Sequence, residues 1–230
     1  MTAHQEKRSS VTEQGSVLIV GVGPGLGLAV ARVFAEAGHP VALIGRNNAK
    51  LTQLAATLHE QDHTARIYPA DAAIPLELEA ALDTAVSDLG APDALVYNAA
   101  FARPDTPTAI TAEQWTQSLA VNVVGAAVAA RHVIPQLRGG RGTVLFTGGG
   151  LALAPSPDYT SLSVGKAALR AYAQALHAEQ VESGVHVTAV TIRGFLRQGD
   201  ERFDPDVIAP TYLALHRRPR DHWQAEYVYA

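Results

Sequence analysis

VLIVGVGPGLGLAV (residues 17–30) decides the fold. It opens on four consecutive apolar residues, turns through Gly21, Gly23, Gly25 and Gly27, and continues with apolar positions spaced for a helix. A short continuous apolar run reads as a strand buried on both faces, and such strands belong to parallel sheets covered by helices. The pattern recurs. VALIG (41–45), ARIYPA (65–70), DALVY (93–97), TVLFT (143–147) and HVTAVTI (186–192) read as further strands, with AEYVYA (225–230) as a seventh. Helices are expected to about Ala37, and near 48–61, 75–89, 112–137 and 159–182. A short helix opens at Asp204-Pro205, where an N-cap residue precedes proline at the first helical position. The expected fold is a single-domain α/β architecture with a doubly wound parallel sheet over residues 15–230, preceded by a polar tail at 1–14.

Composition narrows the function. The 230 residues carry 18 Lys and Arg against 22 Asp and Glu, a net charge of −4, and no cysteine. Disulfides, thiolate chemistry and Cys-based metal sites are excluded. Nothing in the charge favours nucleic acid or an anionic membrane. The N-terminal stretch lacks an apolar run suited to a signal peptide or a membrane span, so a cytoplasmic location is expected. His59 and His63 are four apart but have no third ligand in view, so no metal site is expected.

The glycine turn between strand and helix is suited to a pyrophosphate. Glycines let backbone N–H groups approach closely, and the helix N-terminus favours negative charge. The expected contacts are Gly21, Gly23, Gly25, Leu26 and Gly27. The second strand ends at Gly45-Arg46-Asn47, where an NAD site would place a carboxylate for the ribose 2′-hydroxyl. Arg46, with Asn47 beside it, instead offers a forked donor for a phosphate, so NADP(H) is expected over NAD(H).

With these motifs in order the chain resembles the short-chain dehydrogenase/reductase family. The resemblance rests on Gly21, Gly25 and Gly27, on Asp71 after the third strand, on Tyr97-Asn98-Ala99-Ala100 after the fourth, on Asn122 within VNVVG, and on Lys166. It implies a Rossmann-like fold, adenine capping by Asp71, and cofactor contacts from Asn98, Ala99 and Lys166. It also implies a scaffold and water-holding role for Asn122. Small-molecule substrates and a homodimer or homotetramer are expected by the same analogy.

The chemistry departs from the family. Its tyrosine precedes the lysine by four residues, and that place is Leu162. Its serine aligns with Gly149, with Thr147 nearby. Tyr159 is the nearest candidate for a substitute acid, provided the helix starts early enough to put 159, 162 and 166 on one stripe. Ser161 and Ser163 suit helix capping better than catalysis. Two functions remain open. One is an NADP(H)-dependent oxidoreductase with an atypical site, acting on an imine, iminium or activated carbonyl. The other is an NADP(H)-binding protein without redox turnover: a sensor, an assembly partner or a non-redox enzyme such as a cyclase.

Overall fold

The computed structural model describes residues 14–139 and 142–230. The expected tail therefore lies, except for Gln14, outside the described residues. Seven parallel strands form one sheet: β1 (Ser16–Val20), β2 (Val41–Gly45), β3 (Ala65–Pro69), β4 (Pro92–Tyr97), β5 (Gly142–Thr147), β6 (Val185–Ile192) and β7 (Glu226–Tyr229). Their spatial order is β3-β2-β1-β4-β5-β6-β7. The order reverses between β1 and β4, and the crevice beyond the strand C-termini at such a reversal is where ligands bind in open α/β sheets.

The sheet divides the core into two layers. On one face lie α3 (Pro75–Leu89), α5 (Gly125–Val133) and α6 (Thr160–Gln180), packed over Leu18, Leu95, Tyr97 and Phe146. On the other lie α1 (Leu26–Glu36), α2 (Asn48–His59) and α8 (Pro210–His216), packed over Ile19, Leu43, Val96 and Leu145. Successive strand residues thus enter opposite layers, and both layers are apolar. That is why the strands read as unbroken apolar runs rather than as alternating ones.

The structure changes the expected helix at 112–137. It runs as α4 (Ala112–Leu119), a π-helical turn at Ala120–Val124, then α5 and a 3-10 turn at Ile134–Gln136. At the wider turn the Gly125 N–H reaches back to the Ala120 carbonyl. The Tyr97 hydroxyl, buried in the core, donates to the Val121 carbonyl at 2.5 Å. A Cβ at Gly125 would stand 2.3 Å from the Ala72 carbonyl oxygen and 2.5 Å from the Tyr97 hydroxyl, so only glycine fits. The short helix opening at Asp204 is α7 (Pro205–Ile208), with the Asp204 side chain accepting from Asp206 N–H.

Candidate active site

A cleft crosses the C-terminal ends of the strands at the order reversal. One half of it, about 310 Å³, lies among the glycine turn, Arg46, Asp71, Asn98 and Ala99. Gly21 has φ +92°, and a Cβ there would sit 2.2 Å from the Ala99 nitrogen. The turn can therefore press against the loop after β4 only with glycine at this position. The Asn98 side chain locks that contact by donating to the Gly21 carbonyl at 2.8 Å. Gly23 faces open space, with nothing within 4 Å of an added Cβ. Gly25 is the N-cap of α1 and brings no capping side chain, and no acidic residue lies in the helix's first turn. The positive end of the helix dipole thus meets the cleft with no carboxylate of the helix's own first turn to compete.

Arg46 is exposed on the cleft wall. Asn47 does not line the cleft: its side chain accepts from the Lys50 N–H at 2.9 Å and caps α2. Asp71 lines it, with its carboxylate held by the Ala73 N–H at 2.9 Å.

The second half, about 470 Å³, continues from the glycine turn past Gly148–Gly150 to Leu162, Lys166 and Phe195. Among the residues lining it Lys166 is the one titratable side chain. Lys166 is buried and donates from Nζ to the Thr147 carbonyl at 2.7 Å. Burial lowers its pKa from 10.5 to about 8, because desolvation penalises the ammonium. Leu162 stands one helical turn earlier on the same wall. Gly149 faces Lys166, whose Cε would lie 3.9 Å from a Cβ at that position. The Thr147 hydroxyl is spent elsewhere, 2.8 Å from the hydroxyl of fully buried Tyr212.

Tyr159 is not brought to this place. Helix α6 begins at Thr160, and Tyr159 is its N-cap with non-helical φ −140° and ψ 50°. The stripe expected through 159, 162 and 166 therefore breaks at its first member. Tyr159 is 36% exposed and does not line the cleft.

Asn122 sits in the π-helical turn, 1% exposed. Its Oδ1 accepts from the Phe101 N–H at 2.9 Å, and its Nδ2 donates to the Phe101 carbonyl at 3.0 Å and the Ser118 hydroxyl at 3.1 Å. It thereby clamps the loop after β4 that forms one cleft wall. Ser161 and Ser163 lie inside the first turn of α6 and neither is its N-cap. The Ser163 hydroxyl donates to the Tyr159 carbonyl and accepts from Ser156 N–H. Asp105 is the residue that sequence reasoning missed. Its buried carboxylate accepts from the Ser161 N–H at 3.0 Å and the Ser161 hydroxyl at 2.5 Å, capping α6 from 56 residues away. No local signal marks such a cap.

Comparison with known proteins agrees with this geometry. Glucose 1-dehydrogenase of Gluconobacter oxydans is 30% identical over 179 residues, covering 76% of this chain and 66% of the relative. L-Sorbose reductase from Gluconobacter frateurii, solved with NADPH and L-sorbose, superposes with TM-score 0.85 at 22% identity, covering 94% of each chain. An NADPH-bound short chain oxidoreductase from Pseudomonas aeruginosa containing an atypical catalytic center superposes with TM-score 0.84 at 22% identity, covering 93% of this chain and 94% of that one. Residues 15–199 match the short chain dehydrogenase family. A parallel sheet in this order, a glycine turn at its reversal and a match across most of the chain place this protein in the short chain dehydrogenase family.

Proposed function

We propose that the chain binds NADP(H) along this cleft and reduces an iminium or strongly polarised carbonyl substrate. One observation carries the reading: in the reacting half of the cleft Lys166 is the single titratable side chain, and Leu162 lines the wall one turn away. The glycine turn and the start of α1 receive the pyrophosphate, Arg46 the 2′-phosphate, and Asp71 the adenine side. Lys166 would hold the nicotinamide ribose. NADPH-bound relatives of the same fold support the cofactor assignment.

When bound, the reduced nicotinamide supplies a hydride. The protein's own contribution is an apolar wall built from Leu151, Leu162 and the exposed Leu196. An iminium loses its positive charge as hydride arrives. The departing hydride would leave that charge on the nicotinamide, so the transition state would spread it over two groups and the reaction would need no proton donor. An ordinary ketone gains no such help. The absence of a positioned acid costs it roughly 10²–10⁴-fold in rate.

The test follows NADPH absorbance against cyclic imines and simple ketones, with thermal stabilisation by NADP⁺ and NAD⁺ measured alongside. The expected result is oxidation of NADPH by imines, faster than by ketones, and greater stabilisation by NADP⁺. The missing phenol also favours a second reading, an NADP(H)-binding protein without redox turnover. Stabilisation by NADP⁺ with no substrate-dependent oxidation would select it. Tighter binding of NAD⁺ than NADP⁺ would remove Arg46 from its role.

A further inference from the structure

At the opposite, N-terminal end of the sheet three side chains converge that the cleft does not use. His39 comes from the turn before β2, Asp93 from the start of β4 and His216 from the end of α8. Each offers a ligand atom, and the three atoms lie within 4.8 Å of one another. His39 is 3% exposed and Asp93 5% exposed. Both also line a separate cavity of about 600 Å³, with room for water.

The surroundings orient the three groups. His39 Nδ1 lies 2.9 Å from the Gly15 carbonyl, which can only accept, and 3.6 Å from Asp93 Oδ2, so Nδ1 carries a proton and Nε2 is the nitrogen left to ligate. His216 Nδ1 lies 3.0 Å from the Thr143 hydroxyl. Asp93 Oδ2 accepts from the Gly15 N–H at 2.6 Å. Metal-binding imidazoles commonly have one ring nitrogen fixed by a neighbouring group, which leaves the other available to an ion. Two imidazoles and a carboxylate, with a water as fourth ligand, would make a set of the kind zinc takes.

The arginines lining the cavity argue less for an anion than their number suggests. Arg220 donates to the Val181 carbonyl at the end of α6, Arg218 lies over the Tyr227 ring, and Arg138 Nε is 3.5 Å from Asp93 Oδ1. These three of the four arginines lining the cavity have protein partners, and Arg217 is the fourth. Arg138 is the competitor, a cation occupying the carboxylate that a metal would take.

We infer that His39, Asp93 and His216 form a binding site for a divalent transition-metal ion of the zinc type, which ties the starts of β2 and β4 to α8. The site is independent of the dinucleotide cleft. Its test uses the full chain, stripped with chelator and titrated with Zn²⁺ and with Co²⁺ as a spectroscopic probe. The expected result is one ion per chain, a Co²⁺ ligand-field spectrum of low symmetry, and a rise in thermal midpoint.

His216→Gln, at a half-buried position, should weaken binding by more than the roughly 10–100-fold typical of changes around a metal's ligands, while Thr143→Val should fall within that range. Arg138→Gln should tighten binding, a sign that a merely structural arginine would not give. A His59→Gln, His63→Gln double variant should bind as the parent does. No saturable binding by the parent overturns the site, as does binding unchanged in both His216→Gln and Thr143→Val. Stabilisation by inorganic phosphate but not Zn²⁺, lost on Arg217→Ala, would overturn it in favour of an anion.

Discussion

At the scale of single residues, Leu162 and Lys166 carry opposed consequences. Restoring a phenol by Leu162→Tyr, with Gly149→Ser, should raise reduction of a simple ketone by about 100-fold or more, the value of one positioned acid. Gly149 accepts a side chain at ordinary contact distance from Lys166, so the double variant is expected to fold. Steady-state NADPH oxidation checks it, and iminium reduction should not gain in parallel. Lys166 is costly to the empty protein. Its pKa is lowered from 10.5 to about 8 by burial, so at pH 7 the folded state holds an ammonium it disfavours. Lys166→Met removes that charge but leaves the Thr147 carbonyl without its donor, for a net gain of about 1–2 kcal/mol at pH 7. Between about pH 8 and 10.5 the unfolded chain binds more protons at this site than the folded one, so the parent grows more stable as pH rises. The variant lacks that rise, and its advantage should shrink from pH 7 to pH 10 in denaturant unfolding. Its affinity for NADP⁺ should fall over the whole range.

At the scale of elements, α6 is the part that the site depends on most. Asp105 caps it from the loop after β4, and Gly165 lets it lie against the π-helical turn. A Cβ at 165 would stand 2.7 Å from the Asn122 Cβ. Gly165→Ala should therefore cost about 1–3 kcal/mol by overpacking and loosen the Asn122 clamp on Phe101. Asp105→Asn should cost about 1–2 kcal/mol, and combined with Ser161→Ala it should cost less than the sum, because both remove one interaction. Chemical denaturation of the two singles and the double decides this. The strands were legible because each apolar run is buried on both faces, and the turn at Gly21 because its spacing is local. The π-helical turn was not, since helical periodicity at 112–137 is the same with or without one wide turn. The fate of Tyr159 turned on a single residue, Thr160 rather than an earlier position starting α6. Asp105 and the His39–Asp93–His216 cluster were illegible for a different reason. Their partners are distant in sequence and meet only once the strand order is known.

At the scale of the whole molecule, the parallel sheet separates two tasks by its length. All seven strands point the same way, so the glycine turn, Arg46, Asp71 and Lys166 gather at one end and His39, Asp93 and His216 at the other. The four steps of β1 from Ser16 to Val20 hold the ends about 13 Å apart, beyond the range at which substitutions without shared partners couple. NADP⁺ at 100 times its dissociation constant should stabilise the fold by about 2.7 kcal/mol. For a chain of this size that is roughly 5–10 °C in thermal midpoint. His216→Gln should lower stability in metal-free buffer by the same amount with and without NADP⁺, to within about 0.5 kcal/mol. Denaturant unfolding under the two conditions measures the difference directly. A larger difference would mean that the sheet transmits strain between its ends, with β4 the element to suspect, because Asp93 begins it and Asn98 follows it into the cleft.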